Sequence, residues 1–510
     1  MAPRAPYLTV PPAPPACEPD LDLAFEAVGA DAYCRCRALR GLDARFVLAS
    51  LDHARDVQRA AFERGGTPED LAEQWTERWQ ASLKSLAVEP DEFTRTSESR
   101  HQRVVKALFL KLFDQGDVYK GTREGPYCTR CQEFRPDASP ADGPCPQCQE
   151  PLTQASEEAY FLRASKYHKQ LVAHLETHEQ FIRPEALRAP LLAAASQHGV
   201  PDLCISRPER AWAIPIPIDP DHVIEDWFDA LITYLTGSGY LADPELFERH
   251  WPPDLQVLCP EALRVHALAW PAVLLATGLQ LPERLLVRGR FRLEPGDAGG
   301  AAGGLDGLVA RLGPQAVRYA LLRATSYTAD ACLTPRALAD LHNAELSDRL
   351  GRLVGLVLEV IGAQREGMVP RPGSLGDAEG ALVHDATTLL GRSGELAAQL
   401  DFRGALGEVQ SLVDAALAYA HAAGVAAAAD LPAGSRKLDT ALYVLTEVAR
   451  LLALNLRPFL PAAAADIESR LAVDYQGHKP QSLAQWGLTQ PKAPLQPGEP
   501  LLPRIVLSAH

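Results

Sequence analysis

Four cysteines offer the clearest chemistry in the chain. Cys128-Thr129-Arg130-Cys131 and Cys145-Pro146-Gln147-Cys148 form two CxxC pairs separated by 13 residues. Each CxxC is a tight turn that aims two thiolates at one point, and two such knuckles complete a tetrahedral site suited to zinc. Four protein ligands leave no open position for water, so the expected zinc is structural. A pair of disulfides is the alternative, which the cytoplasmic location expected below disfavours. The remaining cysteines, Cys17, Cys34, Cys36, Cys204, Cys259 and Cys332, lack ligand spacing and are expected as small core residues.

A second group of chemical residues lies between Asp202 and Tyr240. Pro215, Pro217 and Pro220 exclude a helix from its first half. After Asp221 the spacing becomes helical, and Trp227, Ala230, Leu231 and Tyr234 fall on one face at i, i+3, i+4 and i+7. An aromatic stripe of this kind belongs more often to a core than to a pocket. His266 and Trp270 lie four apart in a further helical stretch, RVHALAWPAVLL.

The elements that must position these residues can be read in outline. A chain of 510 residues holds two to four domains, and 47% hydrophobic with 23% charged residues is ordinary for a soluble globular protein. No apolar run approaches the ~18 residues of a membrane span. The proline-rich start lacks a signal peptide's apolar core, so a cytoplasmic location is expected. Strands are expected at Tyr7–Val10, in ARFVLAS, in LQVLCPEALR and in RLLVRGRFRLEPG, the last placing Arg288, Arg290 and Arg292 on one face. Residues 55 to 118 are expected to be helical, as is most of 336 to 475, before a proline-rich tail. The glycine-rich DAGGAAGGLDG lacks the GxxxxGK[ST] pattern of a phosphate loop and reads as a linker. Net charge is −15, and residues 336 to 475 carry 12 Lys and Arg against 18 Asp and Glu, a net of −6. That balance counts against tight nucleic-acid binding.

Several of these segments occur in a familiar order. Ile205-Ser206-Arg207, Ile214-Pro215-Ile216-Pro217 and Glu225-Asp226-Trp227-Phe228-Asp229-Ala230 resemble the ISR turn, Ile-Pro-x-Pro strand and Tyr-Val-Trp-x-Asp-Ala helix of methionyl-tRNA synthetases, a class I aminoacyl-tRNA synthetase family. His266 and Trp270 match that family's pocket histidine and tryptophan, and AQWGL with PLLPRI resembles its ending. The resemblance spans nearly the whole chain. It implies an α/β fold with a Rossmann-type catalytic domain over residues 1–118 and 161–290, split by a zinc-knuckle insertion at 119–160. A stem-contact-like segment with the Gly-rich loop would follow at 291–335, an α-helical anticodon-binding-type bundle at 336–475, and a tail at 476–510. It also implies a substrate pocket of Arg207, Trp227, Ala230, Tyr234, His266 and Trp270, preserved as an apolar recess.

The departures from the family fall where its chemistry is done. The HIGH tetrapeptide, whose histidines hold ATP phosphates at a helix start, aligns with Asp20, Leu21, Asp22 and Leu23. Asp20 and Asp22 are expected as N-terminal helix caps, with a cation site as the weaker alternative. The KMSKS loop aligns with Asp297, Ala298, Gly299, Gly300 and Ala301, so no lysine remains to neutralise phosphate. The aspartate that anchors the substrate amine becomes Leu51, while Asp52 is expected to point elsewhere and His53 to be structural. A His-x-x-Gly-Lys-Asp segment becomes Gln256, Cys259, Pro260 and Glu261; Ala262 replaces a larger pocket residue, and Pro12 and Pro14 replace an apolar residue and a tyrosine. The anticodon-reading arginine and tryptophan align with Leu356 and Val425-Ala426.

Losing one preorganised donor costs about 10²–10³ in rate, and at least four donors or cations are missing. The expectation is a pseudoenzyme, defective in ATP-dependent methionine activation and with ATP binding in doubt, that acts by binding as a regulator, scaffold or small-molecule sensor. An authentic methionine–tRNA ligase and an enzyme with altered chemistry in the old cavity are the alternatives. Candidate partners are tRNA held weakly, a small molecule in the former methionine pocket, and a protein; a membrane is not expected.

Overall fold

A computed structural model describes residues 4–13, 19, 21–131, 133–135, 143–146, 148–208, 212–294, 304–430, 435–476, 478–479 and 482–507. It contains two compact units, one of residues 1–17, 47–77 and 92–287 and another of residues 18–46, 78–91 and 288–510.

The first unit is built on a six-stranded parallel sheet of β1 (Tyr7–Thr9), β2 (Arg45–Ser50), β3 (Glu92–Arg95), β4 (Ile182–Arg183), β5 (Leu255–Leu258) and β6 (Leu285–Val287). The order is β3-β2-β1-β5-β6-β4. Strands β1, β5 and β6 are buried at every position, as the continuous apolar runs of an interior parallel strand require. The direction of winding reverses between β1 and β5, and ligands in open α/β sheets bind beyond the strand ends at such a point. A four-stranded antiparallel sheet is inserted, its main ladder running from Val118↔Leu162 to Tyr127↔Thr153. Ser206–Pro208, Pro215–Ile216 and Asp219–Ile224 make a further three-stranded sheet.

Three local expectations need correction. Residues 55 to 118 are not all helical, because Glu92–Arg95 pairs in parallel with Val47–Ser50 and becomes the sheet edge. Helix does not begin directly after Asp221. Val223 and Ile224 pair with Arg207 and Ser206, so the helix runs Asp226–Gly237 with Glu225 as its N-cap residue. The arginine-bearing strand is broken in two at Gly289. That backbone approaches so closely that an added Cβ would lie 2.1 Å from the Ala329 carbonyl oxygen. Arg288 is consequently buried, Arg290 half-buried and Arg292 exposed, rather than all on one face.

The second unit is largely helical. It includes Leu21–Leu39, Pro314–Arg323, Arg352–Arg365, Asp377–Ala398, Phe402–Ala422 and Arg436–Leu456, the last buried along almost its whole length. Arg318 is a fully buried junction. It donates to Asp31 Oδ2 at 2.5 Å and to the carbonyls of Leu86 at 2.7 Å and Phe459 at 2.7 Å. Burial pushes its pKa down against the opposing pull of Asp31. Among the described residues no helix is long and apolar enough to cross a membrane.

Arg35 Nε also donates to Asp31 Oδ2, at 2.9 Å, so removing Arg318 leaves Asp31 paired and instead strips the Leu86 and Phe459 carbonyls of their donor. Arg318→Ala is expected to lower unfolding free energy by about 2–4 kcal/mol in urea titration, through lost packing and buried acceptors left unsatisfied. A loss below about 1 kcal/mol would contradict the role of Arg318 as a junction.

Candidate functional site

The inserted hairpin delivers the thiols. Its strand Val118–Cys128 ends at the first cysteine, and a backbone turn (Gln149 N–H to Cys145 oxygen, 2.8 Å) folds the second knuckle. All four sulfurs lie within 4.8 Å of one another, with Cys128–Cys148 at 3.3 Å and Cys131–Cys145 at 3.9 Å. A zinc with four Zn–S bonds of about 2.3 Å needs sulfur–sulfur edges of about 3.8 Å, so the cluster fits that ion. No pair approaches the ~2.05 Å of a disulfide. Of the other described cysteines only Cys36 is buried; Cys34, Cys204 and Cys259 are half-buried and Cys332 is exposed, so they are not uniformly core. Cys17 lies outside the described residues.

The aromatic residues divide into two sets. Tyr234, His266 and Trp270 are at most 4% exposed and pack together, the Tyr234 and Trp270 rings 5.9 Å apart and tilted 66°. His266 sits in a π-helical turn, Val265–Ala269. Its Nδ1 faces the Ala262 carbonyl at 2.9 Å and so carries the proton, leaving Nε2 to accept from the Tyr234 hydroxyl at 2.8 Å. Burial pushes the His266 pKa down to about 4. The indole N–H of Trp270 is buried without a hydrogen-bond partner among the described residues.

Trp227 and Ala230 are only half-buried. Trp227 donates to the Cys204 carbonyl at 2.9 Å and borders two cavities. One, of about 320 Å³, has Leu51, Ala54, Arg55, Arg59, Arg123, Glu225 and Asp226 on its walls. The other, of about 860 Å³, lies against helix Arg188–His198 and the Val265–Ala269 turn. Tyr234, His266 and Trp270 line neither of these two cavities.

Arg207 belongs to a charged hub that spacing did not reveal. Glu225 Oε1 accepts from Arg123 at 3.0 Å, and Oε2 from Arg55 at 2.5 Å and Arg207 at 3.3 Å. Asp226 Oδ1 accepts from Arg207 at 2.8 Å, and Oδ2 from the Arg55 backbone N–H at 3.0 Å. Burial raises the Glu225 pKa, but Arg55, Arg207 and Arg123 outweigh it and the net shift is downward. For Asp226 burial wins and the shift is upward. Arg55 and Arg123 join the site from elements distant in sequence, so only the fold could show them.

Beside the hub, Leu51 packs against a small apolar cluster of Ala54, Val57, Ala61, Leu71 and Ala72. Asp52 is wholly buried and turned away, accepting from Ser50 Oγ at 2.6 Å and Arg95 Nε at 2.8 Å. His53 Nδ1 lies 3.0 Å from Asp229 Oδ2, and His101 Nε2 lies 2.7 Å from Oδ1. Burial opposes the Asp229 charge, but the hydrogen bonds from His101 and His53 hold its pKa below the usual carboxylate range. Sequence reading missed Trp212, whose ring stands edge-on to His53 at 5.0 Å. Gln256 is buried with its amide on Thr9 Oγ1 at 3.0 Å, and Pro12 is also buried.

In the second unit, helix Leu21–Leu39 begins with Leu21 buried and Leu23 half-buried. Asp22 is not a helix cap. Its Oδ1 accepts from the Phe291 backbone N–H at 2.6 Å and pairs with Arg288 Nη1 at 3.1 Å. Arg288 also holds Glu26 at 2.8 Å. Asp20, Pro14 and the stretch Asp297, Ala298, Gly299, Gly300 and Ala301 lie outside the described residues. Leu356 is half-buried, Val425 buried and Ala426 exposed.

Comparison with known proteins gives a consistent result. The family model described as tRNA synthetases class I (M) matches residues 17–156 and 150–358. The methionine–tRNA ligase of Caldanaerobacter subterraneus subsp. tengcongensis is 33% identical over 503 residues, covering 98% of this chain and 78% of that protein. The methionine–tRNA ligase of Streptomyces coelicolor is 31% identical, over 96% of this chain and 94% of its own. The crystal structure of Mycobacterium tuberculosis methionyl-tRNA synthetase bound by methionyl-adenylate superposes with a TM-score of 0.89 at 29% identity, covering 98% of this chain and 100% of that one.

Two measurements follow from this geometry. Because the folded pKa of His266 is depressed, its contribution is complete above the unfolded value of about 6.5 and is lost as pH falls toward 4. Unfolding free energy should therefore drop by up to about 3 kcal/mol between pH 7 and pH 4 through this group. His266→Gln should flatten that slope in urea titrations at several pH values; an unchanged slope would contradict it. The thiol cluster predicts one zinc per chain by elemental analysis of metal-replete protein. Zinc-free protein with Cys128, Cys131, Cys145 and Cys148 unliganded would refute the site.

Proposed function

Since the chain belongs to the methionyl-tRNA synthetase family of class I aminoacyl-tRNA synthetases, we propose that it keeps that family's fold as a binding protein and does not activate methionine with ATP. The observation that carries this reading is Asp22. It stands at the glycine of the HIGH-aligned tetrapeptide, and its carboxylate is tied to Arg288 and to the Phe291 N–H. A polyphosphate brought there would meet a carboxylate instead of imidazole donors, and the guanidinium that could attract it is already held between Asp22 and Glu26.

The amine end supports the same conclusion. Leu51 offers no charge to an ammonium group, and Asp52 is consumed by Arg95 and Ser97. A free amino acid would lose a charged hydrogen bond worth roughly 1.5–3 kcal/mol and gain an uncompensated desolvation cost. Cys128, Cys131, Cys145 and Cys148 would hold zinc, which would fix the end of the inserted hairpin. Readout of an anticodon would also be weak, because a stacked base is worth about 1–3 kcal/mol and Val425-Ala426 supplies no aromatic ring.

An active methionine–tRNA ligase is the second reading, favoured by end-to-end likeness to relatives that carry that name. Methionine-dependent ATP–pyrophosphate exchange separates the two. Protein freed of the host's own enzyme is expected to show no exchange above background. Exchange at rates ordinary for a synthetase, about 1 s⁻¹ or more, would establish the ligase.

A further inference from the structure

We infer that His174 and His178 form a metal site separate from the thiol cluster, taking nickel, copper(II) or zinc through two imidazole nitrogens. The site lies in the first unit and is independent of whether the chain activates methionine.

The sequence places the pair where it can chelate. Helix His168–Thr177 ends with His178 as its C-cap residue, and residues four apart face each other across one helical turn. Two histidines at this spacing suit a shared divalent ion. The fold brings the rings together, with centres 4.2 Å apart and planes inclined by 29°. Two imidazoles bound side by side to one ion at about 2.0–2.1 Å have ring centres about 4.5 Å apart, so little movement is needed.

The hydrogen bonds leave the right atoms for a metal. His178 Nδ1 lies 2.9 Å from Thr177 Oγ1 and 3.1 Å from the His174 carbonyl oxygen. The Thr177 hydroxyl donates to the Ala173 carbonyl at 2.7 Å, so both neighbours of Nδ1 are acceptors and Nδ1 carries the proton. The lone pair of the neutral ring is then on Nε2. Metal-ligating histidines fix their tautomer in this way, by donating the other ring N–H to a carbonyl or carboxylate. His174 Nε2 is buried and makes no hydrogen bond among the described residues. Such an atom carries a desolvation cost, which an ion on its lone pair removes.

Packing distinguishes the pair from two mobile surface rings. Phe181 is 1% exposed and stands edge-on to His174, with centres 4.5 Å apart and planes at 78°. The Phe181 N–H donates to the His178 carbonyl at 3.0 Å, and its own carbonyl accepts from the Leu285 N–H at 2.6 Å. His174 is thereby held against the start of edge strand β4, while His178 is exposed and its ring can swing to admit the ion. A ligand fixed in advance lowers the cost of binding. Imidazole donors select nickel, copper and zinc, whereas magnesium and calcium require oxygen ligands. With two protein ligands, water completes the coordination and the ion exchanges readily, unlike zinc in a closed four-thiolate site.

Titration calorimetry of nickel chloride into the zinc-replete full chain, prepared without a histidine tag, tests the inference. One nickel per chain is expected with a Kd below about 100 µM, together with a raised thermal unfolding midpoint. His178→Gln, at an exposed position, should weaken nickel by about tenfold or more and remove the rise in midpoint, and His174→Gln should do the same. His421→Gln, at an exposed position in the second unit, should change neither. The inference is overturned if no nickel binds, if folded His178→Gln protein keeps full affinity, or if His421→Gln weakens nickel as much. It is also overturned if elemental analysis finds one zinc lost for each nickel bound, because the nickel would then occupy the thiol cluster.

Discussion

The carboxylate of Glu225 is the interaction on which the first unit's site depends. It is buried at the start of helix Asp226–Gly237, and three guanidiniums reach it from three different elements. Arg55 comes from the helix after β2, Arg123 from the inserted hairpin and Arg207 from the short strand Ser206–Pro208. Such a charge is stable in the interior only while its partners stay, so the hub fixes the relative placement of those elements.

The second unit repeats the principle at the start of helix Leu21–Leu39. Arg288 is 2% exposed and lies between Asp22 and Glu26, with the Phe291 N–H completing the Asp22 carboxylate. Nearby carboxylates keep the Arg288 pKa raised despite its burial. In both places buried charges satisfy one another within the chain. The proposed loss of methionine activation draws on this inward pairing of charge.

Much of this was legible in the sequence, and the reasons for the gaps are physical. The CxxC pairs announce a thiol cluster because a knuckle is local and needs no distant partner. Parallel strands such as Leu255–Leu258 are visible as short apolar runs, and Tyr234, His266 and Trp270 as residues of one face. Strand Glu92–Arg95 was hidden because its pairing with β2 is decided by the sheet and not by its own composition. The break at Gly289 was hidden because it depends on a close approach to Ala329. The hub was least legible of all. Arg55, Arg123 and Glu225 are 170 and 102 residues from partner to partner, and no local pattern links them. Asp22 could be read as a cap from its position; only the fold assigns its carboxylate to Arg288 instead.

The central claim is that internal ion pairs have taken the place of substrate-facing charge. Its most direct test is equilibrium binding of Mg-ATP to the full chain by titration calorimetry. The account predicts no saturable heat up to about 1 mM nucleotide, because Asp22 and Arg288 already neutralise one another. Saturable binding with a Kd below about 100 µM would contradict it.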